Sequence, residues 1–256
     1  MPWPTTWSRE QRSSASLALA AVLLIVALWG LAVPLAWAPE PIGSNAVYFA
    51  QGAWMTMQLT VVAGSVGVVL GLLTALGKTS RWRGLRWLSA FYVWIIRGTP
   101  LLVQVLFVYF ALPELVPALK LDDFAAACVA LALNVGAYNA EAIRAGLLAV
   151  PRGQVEAAHA LGLSSLLTLR LVVLPQALRV SLPPLVNNLV ALLKDSSLAY
   201  AVGVVELTNV GNRIQAASFK PTQTLLATAI IYLLLTTLLT WMAHALEERM
   251  NVETRC

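Results

Sequence analysis

The sequence predicts an all-α membrane protein with six transmembrane helices, on the evidence of its composition, its long apolar runs and the placement of its basic residues. The 256-residue chain is 59% apolar and 11% charged, whereas an ordinary soluble domain is about 25% charged. Such a chain has too little charge to cover a soluble surface, and it is too apolar to be disordered. Its two cysteines, Cys128 and Cys256, lie far apart, which excludes a disulfide scaffold.

Six apolar runs are long enough to cross a hydrocarbon core of about 30 Å, which needs roughly 20 helical residues. The predicted spans are residues 17–37, 54–77, 88–112, 124–150, 184–206 and 223–246. Because the runs are continuously apolar, we expect helices and not the alternating strands of a barrel. The first run also has features of a signal peptide, since Ala36-Trp37-Ala38 resembles a cleavage site, but its length favours an uncleaved span.

The basic residues predict how the spans are oriented, because Lys and Arg concentrate in cytoplasmic loops. Basic residues precede the first span and occupy the second–third and fourth–fifth connections, so these segments share one side: Arg9, Arg12, Lys78, Arg81, Arg83, Arg86, Arg152, Arg170 and Arg179. The other side carries Glu40, Glu114, Asp122 and Asp123 against Lys120, although Arg213 and Lys220 weaken the pattern. Six spans then place both termini in the cytoplasm, and the net charge of +5 is an orientation signal.

Two patterns that suggest chemistry do not fit their context. The stretch from Gly71 to Thr79 approaches a phosphate-binding loop, but its glycine spacing is one residue too long and it closes an apolar helix. Gly67 and Gly71 instead have the small-xxx-small spacing of close helix packing. His159 and His244 have no neighbouring ligand residues, so we expect no metal site and no catalytic residue.

The connection between the fourth and fifth spans, from Pro151 to Pro183, is too polar to span and too apolar for a flexible linker. Residues 156–161 favour a helix, Gly162 ends it, Ser164 or Ser165 can cap a second helix, and Pro175 interrupts that second helical stretch. We therefore expect one or two short helices on the cytoplasmic face, exposing backbone at Ala157 and Ala158. Two roles are open: docking into a groove of another protein, or resting on lipid headgroups.

This connection resembles the EAA loop of importer permeases of the ABC class. The family pattern is EAA, three residues, Gly, nine residues, and Ile-x-Leu-Pro, and the chain reads EAAHALGLSSLLTLRLVVLP from residue 156 to 175. Only Val172 departs, in place of Ile. The resemblance implies that a separate ATPase contacts Glu156, Ala157, Ala158, Gly162, Leu174 and Pro175.

Further stretches resemble the permeases for polar amino acids, a group that includes histidine, glutamine, arginine, glutamate, cystine and opine importers. They are IIRGTPLLVQVLFVYFALP, NVGAYNAEAIRAGL, LPQALRVSLPPLVNN and LLKDSSLAYAVGVVEL, and the likeness covers about residues 50–250. It implies a type I importer permease in the bacterial inner membrane, divided into a tail and extra helix (1–48), a permease core (49–250) with a coupling loop (151–183), and a cytoplasmic tail (251–256). The expected partners are an ATPase dimer that holds the ATP and Mg²⁺, a second permease subunit, and an extracytoplasmic amino-acid-binding protein. The chain itself would bind no cofactor and would not be an enzyme.

Charged residues fall near the predicted centre of the membrane, where they are costly and indicate function. Arg97, Glu141 and Lys194 each lie nine or ten residues from the cytoplasmic end of a span, which is roughly 15 Å at the helical rise. Breaks accompany them at residues 98–100, at Pro183-Pro184, which we expect to open span five, and at residues 195–197. An amino-acid zwitterion needs a cation and an acceptor, so we predict that these residues line its path: Arg97, Asn134, Tyr138, Glu141, Asn187, Lys194, Asp195 and Ser196.

Structural roles are the alternative for these charges. Glu141 and Arg144 are spaced to pair along one helix, and Lys194 with Asp195 can join helices by ion pairs. A rival function is an ion-coupled secondary transporter, in which the central charges bind the coupling ion. An intramembrane enzyme is disfavoured, because no nucleophile and base stand in a recognisable arrangement.

Overall fold

The computed structural model is helical throughout the part it describes, residues 9–252, with side chains described for residues 14–248. The α-helices are α1 (Arg9–Gly30), α2 (Ala32–Leu35), α3 (Ala46–Thr79), α4 (Arg83–Gly98), α5 (Leu101–Leu106), α6 (Leu112–Leu115), α7 (Asp123–Ala149), α8 (Arg152–Ala160), α9 (Ser165–Thr168), α10 (Leu174–Asp195), α11 (Leu207–Ser218) and α12 (Pro221–Val252). Short 3-10 segments at Gly43–Asn45, Pro117–Leu119 and Ser196–Val202 join them. Of the expected tail at 251–256, residues 253–256, which include Cys256, lie outside the described residues.

Four helical segments of the described chain are long and apolar enough to cross a membrane: Gly43–Thr79, Asp123–Ala149, Ser165–Val202 and Pro221–Glu248. A fifth candidate is the pair Arg83–Gly98 and Leu101–Leu115, bent by 109°. The apolar part of α1, Ser14–Gly30, is shorter, and the helix stops at Gly30, before the predicted end of the first span at residue 37. The all-helical membrane fold predicted from the sequence is confirmed.

Helix α3 lies at the centre of the molecule and contributes to two apolar cores. On one side, Leu59 and Ala63 pack with residues of α5, α7 and the 3-10 segment Ser196–Val202. On the other side, Phe49 and Ala53 pack with α1, α11 and α12. The extra N-terminal helix is therefore part of a packed core, and the edge-to-face contact of Trp29 with Trp54 joins it to α3.

Small residues set the closest helix approaches. A Cβ on Gly67 would come 2.3 Å from Val135 Cγ1, and one on Gly71 would come 2.6 Å from Asn139 Cβ, so α3 and α7 are in backbone-level contact and run in the same direction. The predicted packing role of Gly67 and Gly71 is what the structure shows. Packing of this kind drives helix association where lipid removes the hydrophobic difference.

Two π-helical turns precede prolines in the same way. The turns span Phe107–Ala111 and Leu169–Val173, each followed by one residue and then by Pro113 or Pro175. A proline ring clashes with the carbonyl four residues earlier, and the wider π turn relieves this clash while the helix continues. Pro175 therefore bulges the helix without ending it.

The fifth span begins earlier than the sequence indicates. Pro183 and Pro184 lie inside α10, so the expectation that they open this span is wrong, and its helical segment runs from Ser165 to Val202. Prolines are tolerated inside membrane helices because neighbouring groups satisfy the freed carbonyls. A Cβ on Gly146 of α7 would come 2.5 Å from the Ala177 carbonyl oxygen, so α10 already packs tightly before its prolines.

Candidate functional site

The break between α4 and α5 is organised by Gln104. Pro100 cannot donate a backbone hydrogen bond, and the chain bends here. The Gln104 amide group donates to the carbonyl oxygen of Ile96 at 2.7 Å and to the hydroxyl of Thr99 at 2.9 Å. Its oxygen accepts a 3.0 Å bond from Asn134 of α7. One side chain thus satisfies the exposed backbone of the break and ties it to a neighbouring helix.

A cavity of about 340 Å³ lies beside this break, which is within the usual size of small-molecule sites. Its wall comes from α4–α5, α7 and α10: Thr99, Pro100, Leu101, Asn134, Val135, Tyr138, Asn188, Ala191, Leu192 and Asp195. Amide groups, a phenol, the Thr99 residue and one carboxylate therefore line a space whose remaining wall is apolar. Within the described residues, no hydrogen bond or ion pair engages the Asp195 carboxylate.

Three of the residues predicted to line a solute path, Asn134, Tyr138 and Asp195, lie in the cavity wall. Arg97 is adjacent, because its guanidinium carbon lies 5.1 Å from the centre of the Tyr138 ring, a cation–π contact. Lys194 is exposed and does not line the cavity.

Two further predicted path residues, Ser196 and Asn187, also lie outside the cavity wall. Ser196 is fully buried and donates to the Leu193 carbonyl. Asn187 is exposed, and the neighbouring Asn188 takes its place in the wall. A one-residue step rotates a side chain by about 100° around a helix, so which of the two asparagines faces the cavity depends on how α10 packs against α7, and the sequence alone does not give this.

Glu141 belongs to an ion-pair cluster away from the cavity. It pairs with Lys78 of α3 and with Arg144 of its own helix, the latter at 2.7 Å. The structural role considered for Glu141, an ion pair with Arg144 along one helix, is therefore present in the structure. The ion pair with Lys78 also joins α7 to α3. Both Lys78 and Glu141 are about 20% exposed, so their charges stabilise each other where water is scarce.

We predict that this cluster contributes to stability. A double-mutant cycle with Lys78→Met and Glu141→Gln should give a coupling energy of about 1–2 kcal/mol, between the values for surface and buried pairs. Thermal unfolding of the purified chain in detergent measures it. Arg144→Gln is the control, because it leaves the Lys78 pair in place and should cost less than Glu141→Gln. Strictly additive losses in the cycle would contradict the assignment.

Helix α8 and the turn after it form a projecting hairpin. It follows the end of α7 that is predicted to face the cytoplasm. Gly162 has a φ of +81°, and its N–H bonds the His159 carbonyl while the Leu163 N–H bonds that of Ala158. This is a Schellman C-cap, in which glycine takes the left-handed position. Ser164 then caps the next helix by accepting from the Leu167 N–H.

The exposed surface of this hairpin includes part of the predicted motif. Glu156, Ala157 and Gly162 are exposed, whereas Ala158 is only 4% exposed and packs inward. Leu174 and Pro175 begin α10, after the π turn, and so lie outside the hairpin itself. The sequence motif did not single out Leu161 and Leu166, which are 84% and 74% exposed.

Gln104 and Asn188 were also missed, although each is a polar residue in an apolar run and that signal was present in the sequence. Lys78 was expected to have only an orientation role. Among the described residues, no three His, Cys, Asp or Glu side chains are grouped to hold a metal ion.

The family of the chain is shown by its similarity to known proteins. Residues 67–252 match the family model of the binding-protein-dependent transport system inner membrane component. The chain belongs to this family. It is 40% identical to the L-cystine transport system permease protein of Bacillus subtilis (strain 168), over 87% of this chain and 91% of that protein. It is 41% identical to the glutamine transport system permease protein of Escherichia coli (strain K12), over 79% of this chain and 92% of that protein.

The fold is similar to a solved relative as well. A chain in the crystal structure of an amino acid ABC transporter with histidines superposes with a TM-score of 0.75 at 36% identity, covering 80% of this permease and 95% of that chain. These findings confirm the prediction of an inner-membrane ABC importer permease, a transport subunit and not an enzyme. They give no support to the ion-coupled alternative.

Proposed function

We propose that this permease carries a polar amino acid through the cavity beside the α4–α5 break. The observation that carries the proposal is the unpaired Asp195 carboxylate in a wall that also holds Asn134, Asn188 and Tyr138. Asp195 would accept from the ammonium group of the substrate, and Arg97, held over Tyr138, would attract its carboxylate. The named cystine and glutamine permeases among the relatives support this substrate class.

The permease would work with an ATPase dimer, a second permease subunit (identical or similar) and an extracytoplasmic binding protein. ATP and Mg²⁺ would be held by the ATPase alone. The exposed hairpin at α8 would dock on that ATPase and pass its closure to α7 and α10, which the hairpin joins in sequence. Both termini would be cytoplasmic, and the segment before α3 together with α11 would face outside.

Transport assays in proteoliposomes test the cavity. With the ATPase and the binding protein present, Asp195→Asn should raise the half-saturating amino-acid concentration about 10–100-fold, because a charge-assisted hydrogen bond is worth about 1.5–3 kcal/mol. Asn188→Ala should also raise it, whereas Asn187→Ala, one position along and outside the cavity, should leave it unchanged. Equal effects of the two Asn variants would place the path elsewhere.

The same vesicles separate the two transport mechanisms. We expect uptake only when ATP, the ATPase and the binding protein are all supplied. Uptake by the permease alone under an ion gradient would overturn the proposal in favour of secondary transport.

A further inference from the structure

A second groove, of about 480 Å³, lies at the end of the molecule that is predicted to face the outside of the cell. One wall is the segment that connects α2 to α3, with Glu40, Ser44 and Asn45, and the other wall is α11. The first wall precedes residue 67, where the family match begins. The groove therefore depends in part on a segment that precedes the residues matched by the family model.

The groove combines an apolar floor with a charged rim. Val210 and Ile214 of α11 form part of the floor, and Arg213 stands at the rim. Arg213 is exposed, and no carboxylate within residues 14–248 pairs with it. The Glu40 carboxylate accepts from the Ser44 hydroxyl. The rim therefore offers an unpaired cation next to an apolar surface.

An exposed aromatic residue follows Ser218, which lines the groove. Phe219 ends α11 in a left-handed conformation, with φ 56°, and its side chain is 88% exposed. A bulky residue rarely adopts this conformation. Lys220 follows it and reaches the Glu40 carbonyl oxygen at 3.5 Å, which joins the two walls. Exposed aromatics and arginines are the residue types that dominate protein interfaces.

We propose that this groove receives a loop of the extracytoplasmic binding protein that presents a carboxylate next to an apolar side chain. The carboxylate would pair with Arg213, the apolar side chain would fill the floor, and Phe219 would pack against the same partner. The inference rests on the proposed function, which supplies the partner and the orientation. It adds that the segment before α3 builds half of the docking surface.

The anchoring of α11 connects this surface to the transport helices. Glu206, fully buried, caps α11 by accepting from the Thr208 and Asn209 N–H groups, and it also accepts from the Tyr232 hydroxyl of α12. Burial raises the pKa of Glu206, and these hydrogen bonds oppose the rise. The Leu207 N–H bonds the Thr56 hydroxyl of α3.

A displacement of α11 is therefore expected to move α3 and α12, because hydrogen bonds join all three helices. The chain before α11 is the 3-10 segment that starts directly after Asp195 of the cavity wall. Docking in the groove would thus displace helices that contact the helices of the proposed path.

Charge reversal tests the role of Arg213. In proteoliposomes with the ATPase, Arg213→Glu should raise the concentration of binding protein that half-saturates uptake by about tenfold, and added salt should weaken the wild-type interaction more than that of Arg213→Ala. Lys120→Glu is the control, an exposed charge reversed on the same predicted side but outside the groove. An equal effect at Lys120, or none at Arg213, would overturn the proposal.

Filling the groove tests the segment before α3. Ser44→Trp should also raise the half-saturating concentration several-fold, and Leu225→Trp, on an exposed face of α12, should not. A photocrosslinking amino acid placed at Phe219 should form an adduct with the binding protein, while the same group at Leu233, exposed within the candidate span Pro221–Glu248, should not. An adduct with a second permease copy instead would overturn the proposal.

The outcomes remain separable from those of the proposed function. If wild-type uptake requires the binding protein but the groove variants behave as wild type, only the groove is rejected. If wild-type uptake does not require the binding protein, the proposed function fails first.

Discussion

Replacing Glu156 by lysine, or Gly162 by aspartate, should abolish ATP-driven uptake while the protein still inserts in the membrane. Glu156 is exposed on α8 and makes no ion pair among the described residues, so we expect its substitution to act on a contact with another subunit and not on the fold. Reversing its charge would oppose a cationic partner surface. Gly162 acts through the backbone, because its φ of +81° is costly for a residue with a Cβ.

The expected loss at Gly162 depends on the cap geometry. A non-glycine residue in the left-handed region costs about 1–2 kcal/mol, which is enough to displace the turn that presents α8. Asparagine is the usual substitute for glycine at this cap position and adds no charge to the exposed turn, so Gly162→Asn should retain more uptake than Gly162→Asp. Gly153→Ala is the matched control, since a Cβ there meets nothing within 4 Å.

Uptake in proteoliposomes and co-purification with the ATPase measure both effects. We expect Glu156→Lys to lose the ATPase and Gly153→Ala to keep it. Normal uptake by both Glu156→Lys and Gly162→Asp would remove the docking role of the hairpin.

The hairpin also shows what a sequence can predict. The helix, its glycine stop and the serine cap depend on neighbouring residues alone, and all three are present in the structure. Which alanine faces inward depends on what lies beneath the helix, and so Ala158 proved buried although exposure was expected. Neighbouring residues in the sequence were therefore enough to predict the helix and its caps, whereas the burial of Ala158 depends on tertiary packing.

The central charges show the opposite case. Equal distances from helix ends suggested that Arg97, Glu141 and Lys194 lie at similar depth, but distance along a helix says nothing about direction around it. Glu141 turns toward Lys78, and Lys194 is exposed. Asp195 lies in the cavity wall because of the direction in which its side chain leaves α10, a helix that continues through Pro183 and Pro184.

The second large effect concerns the glycine contacts that hold α7 in place. Gly146→Ala should lower the melting temperature by roughly 5–10 °C, because overpacking costs about 1–3 kcal/mol or more. Its Cβ would stand 1.9 Å from the Ser181 hydroxyl and 2.5 Å from the Ala177 carbonyl oxygen. The hydroxyl can rotate away, but the carbonyl belongs to the backbone of α10 and can yield only if the helices separate.

This distinction gives a sharp test. Adding Ser181→Ala to Gly146→Ala should recover only part of the lost stability, since the carbonyl contact remains. Gly84→Ala should leave the melting temperature unchanged or slightly higher, because nothing lies within 4 Å of its Cβ and alanine favours a helix. If Gly146→Ala melted like Gly84→Ala in detergent, α7 and α10 would not meet at this point. Because α8 connects these two helices, separating them should also lower the uptake obtained per ATP hydrolysed.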